Sequence, residues 1–394
     1  MIPYGKQNIT QEDIDAIIAT LKSDHLTQGP KIKEFEDAFA QYVGSGYAVA
    51  VSNGTTALHL CTLALDVKEG QKVITTPITF AASANCVRYC GGEVVFSDID
   101  SETYLLDILK VKELLESAAK GTYSGIIPVD FAGRAVNLEA FKKLADEYDL
   151  WIIEDACHAP GGFFIDINTE IQNCGNSNFA DLAIFSFHPV KHIATGEGGM
   201  ITTNNPDLYA KLLMLRTHGI TKDIEQYQND TDFANGILGA KTYPNWYMEM
   251  QTLGFNYRLT DFQAALGLSQ LKRADDGIQK RREIAETYFN AFDNKDFIIS
   301  QSGVVAGHAY HLYILEVKDR LGLYNFLRVN GIFSQIHYIP CHLMPYYKGL
   351  GWKEGDMPKA ESYYKNCLSL PMYPTLSKED QQFVIDKIHE FFNK

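Results

Sequence analysis

The sequence predicts an α/β protein, with a mostly parallel sheet covered by helices on both faces and a smaller α/β unit after it. Three observations carry this. From Tyr47 to Thr202, apolar runs of strand length alternate with helix-periodic stretches, the signature of parallel strands joined by crossover helices. The polar clusters of chemical interest each follow a strand, where open α/β sheets bind ligands. The chain has 394 residues, 46% hydrophobic and 21% charged, which suffices for two or three packed units without a disulfide or metal staple.

The elements follow in order. Thr10 is placed to cap a first helix with Ile14, Ile17, Ile18 and Leu21 at helical spacing. A second helix carries Phe35, Phe39 and Tyr42. Tyr47–Val51 is a strand ending in Ser-Asn-Gly-Thr-Thr, and a helix follows over Ala57–Leu65. Strands are expected from Val73 to Thr75, at Glu93–Phe96, Gly125–Val129, Leu150–Ile153, Ala183–Phe187 and Gly199–Thr202. Helices are expected around Ala81–Tyr89 and Leu138–Tyr148. From Ile220 to Gln251 the composition turns polar, as in a lid or an interface arm. Phe262–Leu271 reads as a helix in which Leu266 and Leu268 flank a small-residue face. Past about residue 270 come a helix through Arg281–Phe292, strands at His311–Val317 and Gln335–Ile339, and a last helix with Val384, Ile388 and Phe391 on one face.

Lys plus Arg is 35 and Asp plus Glu is 49, a net charge of −14. This excludes a basic nucleic-acid footprint and disfavours an anionic membrane surface. No apolar run approaches the length of a membrane span, and the N-terminus has no signal-peptide pattern. The seven cysteines, Cys61, Cys86, Cys90, Cys157, Cys174, Cys341 and Cys367, are odd in number, scattered and without C-x-x-C. They read as reduced thiols in a cytoplasmic protein, with no metal site.

Three stretches carry candidate chemistry. In SNGTTALHL, from Ser52, a strand ends in a Gly turn and two hydroxyl residues open a helix. This suits a phosphate, and equally a simple N-cap. In WIIEDACHAP, Asp155 ends an apolar strand, and either caps the next element or meets a cationic partner such as a protonated ring nitrogen. His158 follows three residues later. In FSFHPVKHIATGEGGM, Lys191 follows a buried strand in a segment poor in other charge, with Ser186 five residues before it. A desolvated lysine can form a Schiff base, although most lysines are merely solvated. No G-x-G-x-x-G follows the first strand, because Gly44 and Gly46 lack a third partner, so a nicotinamide dehydrogenase has no support.

Taken together, these stretches resemble the DegT/DnrJ/EryC1/StrS sugar aminotransferases, which use pyridoxal phosphate (PLP). The likeness runs over the whole chain: LTQGP from Leu26, ITTPITFAASAN from Ile74, EDACHA from Glu154, FSFHPVK from Phe185 and GFNYRLTDFQAALGLSQL from Gly254. It implies the type I PLP fold, with a large seven-stranded PLP-binding domain (1–250) and a small C-terminal domain (251–394). It also implies a homodimer with a shared active site. By the same resemblance Lys191 is the Schiff-base lysine and proton shuttle, and Asp155 the partner of the pyridine nitrogen. His158 lies near the ring, Phe80 stacks on it, and Gly54, Thr55 and Ser186 contact the phosphate. Asn256 reaches the phosphate in the neighbouring subunit. For substrate the resemblance points to Tyr4, to His25, Leu26 and Thr27, and to Gln335, Ile336, His337 and Tyr338.

The implied reaction moves an amino group from glutamate to C4 of a UDP-linked 4-keto-6-deoxy sugar. The rivals are the same chemistry on a dTDP-, GDP- or other UDP-keto sugar, and a non-catalytic PLP-binding regulator. One departure is visible. Relatives often have Pro after the lysine, and here the residue is His192, expected to alter loop stiffness more than chemistry. Sugar 3-dehydratases of related fold have His in place of the lysine, and Lys191 therefore favours transamination.

Overall fold

Seven strands form the main sheet of the structure, a computed structural model that describes residues 1–393. They are β1 (Tyr47–Val51), β2 (Lys72–Thr75), β3 (Glu93–Phe96), β4 (Tyr123–Ile127), β5 (Trp151–Asp155), β6 (Leu182–Ser186) and β7 (Gly199–Thr203). Their order is β1-β7-β6-β5-β4-β2-β3. All neighbours are parallel except β7, which runs antiparallel to both β1 and β6. The strands are near-continuous apolar runs because both sheet faces are covered. The carboxyl ends of β1, β5 and β6 therefore open on the same edge, and each of the three chemical stretches begins there.

Helices α1 (Gln11–Leu21), α2 (Pro30–Val43), α3 (Gly54–Ala64), α4 (Ala82–Tyr89) and α5 (Asp261–Leu271) flank this sheet or pack on one another. The small-residue face expected in α5 is where α2 docks: a Cβ on Gly267 would lie 2.5 Å from the ring of Phe35. Asp261 holds the start of α2, accepting hydrogen bonds from the amides of Gly29 (2.8 Å) and Lys31 (3.0 Å).

The first helix starts where Thr10 predicts, but its apolar stripe does not enter the core. Ile14, Ile18 and Leu21 are 42%, 42% and 54% exposed, whereas Asp13 and Thr20 are buried. A polar clasp orients the helix. The Asp13 carboxylate accepts from Gln270 Nε2 (2.8 Å) and Arg273 Nη1 (2.9 Å), and pairs also with Arg273 Nη2.

The second unit is built on α6 (Ala274–Phe292), α7 (Arg320–Val329) and α8 (Lys378–Phe392) around an antiparallel sheet β8-β9-β10 (Ile298–Gln301, Tyr313–Val317, Cys367–Leu370). The strand expected over Gln335–Ile339 is not regular. A two-residue strand, Ile332–Phe333, pairs with Ile2–Pro3, and Gln335 makes a single bridge to Ser369. Beyond that bridge the chain leaves the sheet, which frees His337 and Tyr338 to face a cavity. Arg281 of α6 is only 1% exposed. Its Nη1 donates to the carbonyls of Met372 (2.9 Å), Tyr310 (3.1 Å) and His311 (3.4 Å), and among the described residues it has no carboxylate partner. Burial lowers its pKa to about 10.

The polar stretch after Ile220 is an excursion closed at its base, where Ile220–Thr221 pairs with Glu249–Met250. Its interior is a cluster of Tyr227, Tyr243 and Tyr247 rings, and the Glu249 carboxylate takes the amides of Gln228 and Asn229. Ile237, Leu238 and Trp246 are left exposed.

Breaking the clasp under α1 leaves the Arg273 cation without its carboxylate in a partly buried place. Asp13→Ala is expected to lower the unfolding free energy by about 3 kcal/mol, the scale for removing one member of a buried pair. Chemical denaturation measures it, and a midpoint equal to wild type would show that α1 does not depend on the clasp.

Candidate active site

A cavity of 490 Å³ opens at the carboxyl ends of β1, β5 and β6 and is closed on its far side by the second unit. A larger groove of 820 Å³ between α1, α2 and α5 is lined by alanines, hydroxyl residues and charged groups, among them Asp261 and Arg273, which are already engaged in the hydrogen bonds that hold α1 and α2.

The β1 wall is the start of α3. Asn53 caps the helix by accepting from the Thr56 amide (2.9 Å). The first-turn amides of Gly54 and Thr55 have no intrahelical acceptor and sit at the positive end of the helix dipole. Gly54 packs closely on the end of β6, where a Cβ would lie 3.0 Å from Ser186 Cβ and push that side chain aside by a few tenths of an ångström. Two backbone amides and a hydroxyl thus converge at one end of the cavity.

Asp155 ends β5 and is 4% exposed. One carboxylate oxygen accepts from Ser83 Oγ (2.6 Å) and the other from the Cys157 amide (3.2 Å). Among the described residues no cation pairs with it. The preceding residue, Glu154, points to the opposite sheet face, as strand alternation requires. There it accepts from the Gly175 amide (2.9 Å) and lies beside Asp130 and Cys174. Burial pushes the Glu154 carboxyl well above the usual range and Asp130 up to about 6, so the pair retains a proton at neutral pH.

Lys191 sits in the loop between β6 and β7. The antiparallel pair Ser186↔Gly199 closes this loop at its base, and the Lys191 amide bonds to His188 O (2.8 Å) within it. Desolvation lowers the Lys191 pKa, offset in part by the negative charge of the Asp155 carboxylate, while burial keeps the neighbouring Cys157 a neutral thiol. His192 does more than stiffen the loop. Its Nε2 donates to Ala309 O (2.8 Å) and ties the loop to the second unit.

The far wall is aromatic and imidazole-rich. His158 packs against His311 with ring centroids 4.3 Å apart and the rings tilted by 38°, and its Nε2 lies 3.2 Å from Tyr338 Oη. The pKa values of His158 and His311 lie well below the ordinary histidine range and that of His337 falls to about 3, first through burial and next through the Lys191 charge. All three rings are neutral at pH 7. Phe80 stands 63% exposed beside the cavity.

Of the residues expected from sequence, Tyr4, Gly54, Thr55, Phe80, Asp155, His158, Ser186, Lys191, His337 and Tyr338 line this one cavity. Gln335 and Ile336 do not, and Gln335 is instead occupied with Ser369. His25, Leu26 and Thr27 are exposed, His25 on the 820 Å³ groove and Thr27 bridged to Thr260. Asn256 bridges Thr217, also outside the cavity. Sequence reading passed over Ser83, Thr79, Asn53 and His311, all of which line it. Ser83 lies within a motif already singled out. His311 carries no comparable signal, because it precedes strand β9 instead of following it.

A group that offers an anion at one end, an aldehyde toward Lys191 and a protonated ring nitrogen toward Asp155 fits this donor set, and PLP is such a group. The fold and the cavity therefore define a PLP enzyme that handles amino groups. Residues 7–389 match the DegT/DnrJ/EryC1/StrS aminotransferase family, and the chain belongs to that PLP-dependent family. It is 37% identical to the spore coat polysaccharide biosynthesis protein SpsC of Bacillus subtilis, over 99% of this chain and 96% of that one. It is 35% identical to the UDP-4-amino-4,6-dideoxy-N-acetyl-β-L-altrosamine transaminase of Campylobacter jejuni, over 100% and 98% of the two chains. Among solved structures, Helicobacter pylori PseC, an aminotransferase involved in pseudaminic acid biosynthesis, superposes with a TM-score of 0.86 at 29% identity, covering 100% of this chain and 99% of the other. No helix among the described residues is long and apolar enough to cross a membrane.

Because burial favours the neutral amine of Lys191, its reaction with PLP should level off at a lower pH than that of surface lysines. Borohydride treatment of the PLP-loaded protein followed by peptide mapping should place the label on Lys191, and Lys191→Ala should abolish it. Label spread over surface lysines would contradict this. Asp155→Ala should retain part of the PLP binding while removing turnover, and unimpaired turnover in that variant would take Asp155 out of the chemistry.

Proposed function

We propose that the protein transfers an amino group from glutamate to C4 of UDP-2-acetamido-2,6-dideoxy-β-L-arabino-hex-4-ulose, giving UDP-4-amino-4,6-dideoxy-N-acetyl-β-L-altrosamine for pseudaminic acid synthesis. The observation that carries the reaction type is one cavity holding a lysine whose charge is disfavoured and a buried carboxylate that no cation pairs with among the described residues. The Campylobacter and Helicobacter relatives favour this sugar. SpsC, at 37% identity, favours a second reading, the same chemistry on a different nucleotide sugar.

When bound, PLP supplies an aldehyde to carry the migrating amino group and a ring to accept the electron pair released at carbon. The roles we assign to the chain are these. Gly54 and Thr55 amides, with Ser186 Oγ, hold the phosphate. Asp155 keeps a proton on the ring nitrogen, and Ser83 holds Asp155 in place. Phe80 covers the ring and His158 flanks it. Lys191 Nζ takes a proton from one carbon and returns it to another. Tyr4, His337 and Tyr338 border the sugar nucleotide. Asn256 and the 25–27 segment are supplied by a second copy in a homodimer, which would also cover Ile14, Ile18, Leu21 and Leu26.

Purified enzyme with glutamate and UDP-, dTDP- or GDP-linked 4-keto sugars should aminate the UDP sugar, with parallel-line (ping-pong) kinetics and the C4 amine visible by NMR. Turnover of a dTDP or GDP sugar without the UDP sugar would sink the substrate assignment.

A further inference from the structure

The two ring nitrogens of His158 have different partners, and this fixes where its proton lies. Nδ1 accepts the backbone N–H of Ala132 at 3.2 Å. That amide can only donate, and its position is fixed by neighbouring backbone bonds, from Leu312 N to Ala132 O (3.1 Å) and from Ala309 N to Gly133 O (2.8 Å). A neutral imidazole carries one N–H, so a lone pair on Nδ1 puts the hydrogen on Nε2. The other tautomer would set two N–H groups head to head.

Nε2 lies 3.2 Å from Tyr338 Oη, so the imidazole donates and the phenol oxygen accepts. The phenolic hydrogen is then turned away from His158. Among the described residues Tyr338 Oη has no other hydrogen-bond partner, and the residue borders the same cavity as Lys191.

We propose that Tyr338 is held as an obligate hydrogen-bond donor to a substrate oxygen, its direction set by the Ala132 amide acting through His158. The inference rests on the aminotransferase reading and deepens it. The acceptor is a carbonyl or carboxylate oxygen, a chemistry that the amino-acid donor and the keto sugar both present in the same place. Tyr338 touches the substrate, and His158 acts on it as a positioning residue. Neutral burial of His158 beside Lys191 agrees with the single tautomer.

Two measurements test this. Imidazole ¹⁵N NMR of the cofactor-free protein at pH 7 should show His158 protonated on Nε2 alone, and protonation on Nδ1, or on both nitrogens, would overturn the proposal. In the PLP-loaded enzyme, the half-reaction with glutamate is followed by the cofactor's absorption, with glutamine or alanine as donor if glutamate is silent. Tyr338→Phe should slow it at least tenfold in kcat/KM, with PLP affinity within threefold of wild type. His158→Leu should slow it comparably, and His158→Gln, which can accept from Ala132 and still donate to Tyr338, should recover most of that loss. A Tyr338→Phe rate within threefold of wild type would also overturn it. Because the amino-donor arm needs no sugar, failure of every keto sugar to react would reject the substrate assignment and leave this test intact.

Discussion

A carboxylate buried to 4% exposure, which no cation pairs with among the described residues, is the constraint on which the site depends. Such a group is costly unless something positive completes it. Two hydrogen bonds, from Ser83 and Cys157, orient Asp155 without neutralising it. The sheet then explains the rest of that wall. Parallel pairing of β5 with β6 sets Asp155 beside the start of the Lys191 loop, and antiparallel β7 closes that loop on Ser186. Strand alternation sends the neighbouring Glu154 to the opposite face, where a retained proton keeps a second negative charge from building up behind the first.

Much of this was legible in the sequence, for a physical reason. Strand ends and helix starts are local features, so SNGTT, the ED pair and the Lys191 loop announce themselves by apolar runs and turns. The far wall is not local. His311 and Tyr338 reach the cavity from the second unit; the family resemblance pointed to Tyr338, whereas His311, at the start of an expected strand, carries no local mark of a site. The strand expected at Gln335–Ile339 does not form, because His337 and Tyr338 line a cavity instead of a ladder. In α1 the spacing correctly indicated a helix but not its buried side, because the Asp13–Arg273 clasp orients it with its apolar stripe outward.

The imidazoles on the far wall line the cavity of an acidic protein without adding positive charge to it. His158, His311 and His337 are kept neutral by burial and by the lysine they face, and the Ala132 amide fixes the direction of the His158 dipole among them. Fixed dipoles need no reorganisation when charge moves in the cavity. His192 belongs to the same arrangement, since its bond to Ala309 sets the distance between the lysine loop and the imidazole wall.

Arg281 holds the His311 part of that wall through the carbonyls of Tyr310, His311 and Met372. A guanidinium bound to main-chain oxygens is blind to the side chains those residues carry. The wall can therefore diverge in sequence, residue by residue, and still be presented at the same place opposite the lysine. In evolutionary terms, the clamp separates where the wall stands from what it recognises, so a lineage can explore new sugars on an unchanged catalytic floor.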